Sequence, residues 1–154
     1  MKDVTIYTDG ACSGNPGAGG WAAIMIWKGR EKELSGGEAE TTNNRMELLA
    51  AISALEALKE PCRVTLYSDS KYLVDAVTLG WVHRWRRNGW MRTKREEAKN
   101  PELWQRLLDA AEKHEVEFKW VKGHDENEFN VKCDKIAVAE SRKLSKNVKD
   151  LDLK

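Results

Sequence analysis

Near its start the chain reads Val4-Thr5-Ile6-Tyr7-Thr8-Asp9, and sixty positions later it reads Val64-Thr65-Leu66-Tyr67-Ser68-Asp69. Each segment is rich in β-branched residues, which predicts a strand, and each ends in an aspartate before a turn. In open α/β sheets ligands bind at this end of the strands. If the two strands are neighbours, two carboxylates meet at one place, and a cation would relieve their repulsion. An aspartate that only ends a strand or opens a turn is the alternative, and the matched pair favours the shared site.

The length and composition predict one domain spanning residues 1–154. At 154 residues and 41% hydrophobic residues, the chain is long enough to bury a sizeable core. It contains no apolar run of membrane-span length and opens with no signal-peptide pattern, so we expect a cytoplasmic protein. Cys12, Cys62 and Cys133 lack metal-ligand spacing and are expected to be free thiols. The last ten or so residues are charged, and we expect a frayed tail there.

The net charge of +1 conceals an uneven distribution of 26 basic and 25 acidic residues. Six basic residues fall between Trp81 and Arg95 with no acid among them, so the rest of the chain is net acidic. A basic segment on an acidic body suggests a docking surface for a polyanion. The six residues are Arg84, Arg86, Arg87, Arg92, Lys94 and Arg95.

Apolar periodicity and turn signals predict five strands and five helices. Segment 10–20 contains five glycines and is predicted to be a loop. The short connections favour an antiparallel meander for the first three strands. The predicted strands are Val4–Asp9, Trp21–Trp27, Glu31–Ser35, Arg63–Ser68 and Val116–Val121. The predicted helices are Asn43–Leu58 (capped by Thr41 or Thr42), Ser70–Thr78, Trp81–Arg87, Asn100–His114 and Asn130–Leu144.

Two further carboxylates stand among apolar residues on predicted helix faces. They are Glu47 on the first long helix and Asp134 on the last. Carboxylates are rarely buried without a partner, although for Glu47 a favourable place in the first turn, near the helix dipole, remains open. With Asp9 and Asp69 they make four oxygen donors without a Cys/His cluster, which favours magnesium or manganese over zinc. Such a site suits phosphodiester hydrolysis by two metal ions about 3.5–4 Å apart.

The sequence resembles ribonuclease HI of the bacterial type from about residue 4 to residue 140. The most specific matching segment is Thr41-Thr42-Asn43-Asn44-Arg45-Met46-Glu47. The others are Tyr7-Thr8-Asp9-Gly10, Gly14-Asn15-Pro16-Gly17, Ser68-Asp69-Ser70, Trp81 to Trp90, Trp104-Gln105-Arg106-Leu107, and Trp120-Val121-Lys122-Gly123-His124 through Cys133-Asp134. The resemblance implies an α/β, ribonuclease H-like fold with a five-stranded mixed sheet and helices on both faces. Strands one to three would be antiparallel, and strands four and five parallel to strand one.

The resemblance also implies a catalytic set. It assigns Asp9, Glu47, Asp69 and Asp134 to the binding of two Mg²⁺ or Mn²⁺ ions. His124 matches a mobile histidine that aids proton transfer or product release, a role that suits an imidazole.

Substrate contacts are implied in the same way, with an RNA–DNA hybrid as the partner. Four residues match contacts to the minor groove, where the RNA 2′-hydroxyl distinguishes RNA from DNA. Segment 81–90 matches a basic protrusion that binds the DNA strand through arginine and indole groups. Trp81 is expected to contact the substrate at the surface. For Trp85 and Trp104 the sequence allows either a place in the core or a contact with the substrate. The full set is Cys12, Asn15, Asn43, Asn44, Lys71, Trp81, Arg84, Trp85, Arg86, Arg87 and Trp104.

The sequence departs from the family pattern in three places. Lys71 stands where Gln is common. A lysine there would add a contact to a phosphate, and it would lose the ability of Gln to recognise a hydroxyl group or the edge of a base. The loop after His124 lacks the usual Gly two residues later, and Val131 replaces a common Glu. One extra residue lies between Tyr72 and Trp81.

The sequence therefore predicts a ribonuclease H. We expect a monomeric, metal-dependent endonuclease that does not associate with membranes. It would hydrolyse the RNA strand of RNA–DNA hybrids to 5′-phosphate and 3′-hydroxyl ends. A catalytically silent hybrid-binding module of the same fold is the alternative, and retention of all four carboxylates argues against it. Another nuclease or an integrase of this superfold would fit the carboxylates. It would not fit the Asn43-Asn44 pair or the basic protrusion.

Overall fold

A computed structural model of the chain describes residues 1–122 and 127–152, with side chains as far as residue 145. The strands are β1 (Lys2–Gly14), β2 (Gly17–Trp27), β3 (Arg30–Thr41), β4 (Cys62–Ser68) and β5 (Glu115–Trp120). The helices are α1 (Asn43–Glu56), α2 (Lys71–Thr78), α3 (Trp81–Arg87), α4 (Pro101–Ala111) and α5 (Glu128–Asp152).

The five strands form one mixed sheet in the order β3-β2-β1-β4-β5. β1 pairs antiparallel with β2, and β2 with β3, while β4 runs parallel to both β1 and β5. The predicted fold class is therefore confirmed. The parallel pairing of β1 with β4 ends at Thr8 and Ser68. Because Asp9 and Asp69 each follow the last paired residue, they lie at the same point of the sheet.

Helices cover both faces of the sheet. The larger core contains residues of β1, β4, α1 and α4, such as Ile6, Leu66, Ile52 and Leu107, which are fully buried. On the other face, a smaller cluster joins the α5 residues Cys133 and Ala137 to β2. No helix in the described part of the chain has the length and apolar character needed to span a membrane.

The glycine-rich segment is paired strand, so its prediction as a loop was wrong. β1 continues to Gly14 and β2 begins at Gly17, which leaves two residues between them. A Cβ atom at Gly10 would lie 2.6 Å from the backbone nitrogen of Glu47, and one at Gly20 would lie 2.2 Å from the Ala137 carbonyl oxygen. The glycines are thus required by the close packing of α1 and α5 on the strands. Asp9 accordingly lies inside β1 rather than at its end.

Several predicted element ends also differ from the structure. The third strand continues to Thr41 instead of ending at Ser35, and α5 runs from Glu128 to Asp152 rather than from Asn130 to Leu144. α1 ends at Glu56 and α4 at Ala111, two and three residues earlier than predicted. Thr42 is the cap of α1, and its side chain accepts the Arg45 N–H at 3.3 Å.

Candidate active site

Three carboxylates, from β1, from α1 and from the turn after β4, meet at the junction of β1 and β4. One carboxylate oxygen each from Asp9, Glu47 and Asp69 lie within 4.8 Å of one another. Asp9 is 5% exposed and Glu47 3% exposed, whereas Asp69 is partly buried. The expectation that the two strand aspartates meet is confirmed. Glu47 is the fifth residue of α1, past the first turn, so the helix dipole does not explain its position.

Backbone and hydroxyl groups fix the orientation of the two buried carboxylates. The Gly10 N–H donates to Asp9 Oδ1 at 2.9 Å and to Glu47 Oε1 at 2.6 Å. The Ser68 hydroxyl donates to Glu47 Oε2 at 3.3 Å and accepts the Ser70 N–H at 3.0 Å. Both oxygens of Glu47 are therefore held, and the β1 and β4 backbones that hold them are themselves paired.

Burial and like charge make the cluster resist full ionisation. Burial raises the pKa of Asp9 far above its usual range, and the charges of Glu47, Asp69 and Asp134 raise it further. Burial and the charge of Asp69 also raise the pKa of Glu47, against hydrogen bonds from neighbouring groups that lower it. Without a cation, the Asp9–Glu47 pair thus retains a proton near neutral pH. All the donors are carboxylate oxygens, so the cluster fits a hard divalent cation that would take the place of that proton.

The fourth predicted carboxylate, Asp134, lies beside this group rather than within it. Asp134 is partly buried on α5, and its charge acts on Asp9. The neighbouring Cys133 thiol donates to the Tyr7 carbonyl oxygen at 3.3 Å, which attaches α5 to β1 two residues before Asp9. The structure therefore brings three of the four carboxylates into one tight group and places the fourth close to it.

Asn127 is a residue of this region that the sequence analysis missed. Its Oδ1 accepts the Phe129 N–H at 2.8 Å and caps α5, while its Nδ2 donates to the Tyr7 hydroxyl at 3.2 Å. The Tyr7 ring stacks on Tyr67 and Phe129 with centroid distances of 4.9 and 5.2 Å. An Asn before a helical pattern is a cap signal, but the helix was predicted to start three residues later. His124 lies outside the described residues.

Predicted minor-groove residues lie together at the start of α1 and the adjacent hairpin turn. Asn15 in that turn accepts the Asn43 N–H at 3.1 Å through its Oδ1. The Cys12 thiol is half-buried and donates to the Thr41 carbonyl oxygen at 3.4 Å. Asn15, Asn43 and Asn44 are exposed, and with Thr42 and residues 97–101 they line a cleft of about 560 Å³. These polar groups are thus free of the core and open to a ligand.

Arg45 fixes this surface to the rest of the molecule. Its guanidinium donates to both oxygens of Glu38 at 3.0 and 3.2 Å and to Glu102 at 3.1 Å. These ion pairs join the end of β3 and the start of α4 to the first turn of α1. The motif around Arg45 predicted no role for its side chain, because partners 7 and 57 residues away leave no local pattern.

The basic segment divides into exposed, paired and buried residues. Arg84 and Arg87 of α3 are exposed, whereas the Arg86 guanidinium donates to Glu112 at 2.9 Å. Trp81 is half-buried. Trp85 and Trp104 are 6% and 1% exposed, and their rings meet edge to face at 5.9 Å, so both are core residues. The residues of this segment that remain available at the surface to bind substrate are therefore Arg84, Arg87 and Trp81.

The chain is similar to ribonucleases H over almost its whole length. The RNase H family model matches residues 1–142. Ribonuclease H of Desulforamulus reducens is 58% identical over 142 residues, which is 92% of this chain and 89% of that protein. The crystal structure of LC9-RNase H1, a type 1 RNase H with the type 2 active-site motif, superposes with a TM-score of 0.84 at 31% identity and covers 94% of this chain and 74% of its own. The crystal structure of LC11-RNase H1 in complex with RNA/DNA hybrid superposes with a TM-score of 0.64 at 24% identity. It covers 91% of this chain and 97% of its own.

Proposed function

The chain belongs to the ribonuclease H family, of the bacterial type, and from that premise we propose that it is an endonuclease hydrolysing the RNA strand of RNA–DNA hybrids. The products would carry 5′-phosphate and 3′-hydroxyl ends. The observation that supports this most is the convergence of Asp9, Glu47 and Asp69 within 4.8 Å. A second is the hybrid bound to LC11-RNase H1, a protein of the same fold.

In this proposal the four carboxylates hold Mg²⁺ or Mn²⁺ ions, two of them when substrate is bound. Such ions lower the pKa of the attacking water and stabilise the leaving 3′ oxygen. The protein contributes orientation, because Gly10 and Ser68 fix the carboxylate oxygens before substrate arrives. His124 would assist proton transfer or product release.

Recognition would be divided between the two strands of the hybrid. Asn15, Asn43, Asn44 and Cys12 would contact the minor groove, where an amide can both donate to and accept from a 2′-hydroxyl. Arg84, Arg87 and Trp81 would bind the DNA backbone, with guanidinium groups on phosphates and indole on deoxyribose.

A silent hybrid-binding module is the rival function, and the burial of the carboxylates argues against it. Burying like charges costs free energy that apolar residues at the same positions would not cost. A protein that only binds hybrids has no physical reason to keep Asp9 and Glu47 in the sheet junction.

The test is cleavage of an end-labelled hybrid by wild type and by Asp69→Asn, with Asp3→Asn as the control. Asp3 is an exposed β1 aspartate that pairs with Arg63 at 3.3 Å, so its loss should leave cleavage unchanged. We expect Asp69→Asn to lose cleavage while remaining folded, and wild-type products to accept a ligase that requires a 5′-phosphate. An Asp69→Asn variant as active as wild type would reject the metal-site assignment.

His124→Ala tests the proposed proton-transfer or product-release role. We expect turnover to fall by roughly 10²-fold or less, which is at or below the lower end of what a general acid or base typically contributes. Hybrid affinity measured in EDTA should stay the same. Complete loss of activity would instead indicate a ligand or structural role.

We further propose that the protein acts as a monomer in the cytoplasm. Cys12, Cys62 and Cys133 are free thiols, which fits a reducing compartment.

A further inference from the structure

An exposed tryptophan lies directly beside the carboxylate site. Trp120, the last residue of β5, is 48% exposed. In the described part of the chain, the other exposed large hydrophobic residues are Met1 and Leu79. The Trp120 indole N–H donates to the carbonyl oxygen of Asp69 at 3.1 Å. The ring is therefore held at a fixed place next to a candidate metal ligand, with about half of its surface open to solvent.

The backbone around Trp120 is as firmly attached to the site as the ring. Trp120 is in register with Ser68 in the parallel pairing of β4 and β5. The next residue, Val121, donates its N–H to the Ser68 carbonyl oxygen at 2.9 Å, and the Ser68 hydroxyl donates to Glu47. A ligand packed on the Trp120 ring would thus lie at a defined distance from the carboxylate cluster.

A cation accompanies the exposed ring. Lys71 is exposed at the first position of α2, and its ammonium lies 5.9 Å from the Trp120 ring centroid. A lysine at a helix start is disfavoured by the helix dipole, and an anion bound nearby would relieve this cost. A flat apolar face beside a cation matches a sugar or base joined to a phosphate.

We propose that Trp120 and Lys71 form a nucleotide subsite for the RNA strand next to the bond that is cleaved. The indole packs against a ribose or base, and the ammonium pairs with the adjoining phosphate. The strand is RNA because the ring touches Asp69, and a group bound there adjoins the strand on which the carboxylates act. The inference rests on the proposed function. Since the pair contacts nucleotides that do not react, it contributes to affinity rather than to turnover.

Three variants test the subsite through hybrid binding in EDTA and steady-state kinetics with Mg²⁺. Trp120→Ala should weaken hybrid affinity and raise KM by roughly 5- to 150-fold, the effect of losing one stacked base, while kcat stays nearly constant. Trp120→Phe loses the bond to Asp69 but keeps an aromatic face, so it should retain most of the affinity. Lys71→Met should flatten the logarithmic salt dependence of binding by about 0.7–0.9, the value for one phosphate contact.

The hairpin of β2 and β3 offers a matched control pair. The Lys28 ammonium lies 5.1 Å from the Trp27 ring centroid, so the chemistry is the same. Trp27 stands five residues along β2 from Ala22, the partner of Asp9, which is about 17 Å away. Trp27→Ala and Lys28→Met should therefore leave hybrid affinity and its salt dependence unchanged.

Two results would overturn the subsite. If Trp120→Ala and Trp120→Phe both lower kcat without changing affinity, the indole serves only to hold Asp69. If Trp120→Ala and Lys71→Met bind hybrid as wild type does, the pair contacts no substrate. A wild type that does not prefer hybrid over DNA duplex would instead refute the proposed function, and the subsite with it.

Discussion

At the scale of single residues, Gly10 connects the packing of the fold to the geometry of the site. Its N–H holds both Asp9 and Glu47, and its missing side chain lets α1 approach β1. Gly10→Ala should lower the free energy of unfolding by roughly 1–3 kcal/mol, because the clash is with backbone that must shift. It should also lower activity, since both carboxylates move.

Gly29→Ala is the control for that substitution. Gly29 has φ +76° with open space around it, so alanine there meets only backbone strain of about 1–2 kcal/mol. Denaturant unfolding and hybrid cleavage should show that both variants lose stability and that only Gly10→Ala loses activity. Full activity in Gly10→Ala would contradict the role of the Gly10 N–H.

The raised pKa of Asp9 gives a pH-dependent prediction for the metal-free protein. The folded state keeps a proton that the unfolded chain loses above about pH 4, so the stability due to that proton is complete at low pH and is lost as pH rises toward the folded pKa. Asparagine cannot ionise. In EDTA, Asp9→Asn should therefore exceed wild type in stability by a margin that grows with pH, to about 1 kcal/mol or more near pH 8. Thermal unfolding at several pH values measures it, and a margin independent of pH would contradict the burial of this charge.

The sequence could predict the carboxylates but not the groups that hold them. Asp9 and Asp69 share a strand pattern, and Glu47 and Asp134 stand out on apolar helix faces. Gly10 donates through its backbone N–H and Ser68 through the hydroxyl of a common small side chain. Neither donor can be recognised from the pattern of hydrophobic residues.

At the scale of secondary structure elements, α3 separates two kinds of arginine. Arg84→Ala with Arg87→Ala should weaken hybrid binding at low salt and flatten its logarithmic salt slope by up to about 0.7–0.9 per lost phosphate contact. Arg86→Ala should change the slope less, because Arg86 is paired with Glu112. The free energy of unfolding should fall by about 1 kcal/mol or less when that surface pair is lost. Equal slopes in all variants would show that α3 does not bind the substrate.

Element boundaries were predicted well where a single local signal acts and poorly where packing decides. The helix predicted for Ser70–Thr78, found as Lys71–Thr78, and the helix predicted for Trp81–Arg87 follow from local sequence. The strand character of segments 10–14 and 17–20 does not, because glycine disfavours strands unless another element needs the space. Here α1 and α5 need that space, a long-range cause that no window of residues contains.

At the scale of the whole molecule, the site joins elements from both faces of the sheet, so a bound ion should stabilise the entire fold. Mg²⁺ should raise the midpoint of thermal unfolding, with a gain of about 2.7 kcal/mol at a concentration 100 times the dissociation constant. The stabilisation by Mg²⁺ should be smaller in Asp9→Asn and unchanged in Asp3→Asn. NaCl at equal ionic strength is the reference for each protein. An equal rise in all three proteins would indicate a general salt effect.

The most direct measurement is hydrolysis of a labelled RNA–DNA hybrid by the purified protein with Mg²⁺ and with EDTA, beside DNA and RNA duplexes of the same sequence. The buried carboxylate group and the exposed asparagines together lead us to expect cleavage of the RNA strand, in the hybrid only and with Mg²⁺ only. Asp69→Asn should abolish it and Asp3→Asn should not. Cleavage in EDTA, cleavage of the DNA duplex, or an intact hybrid with Mg²⁺ would each contradict this function.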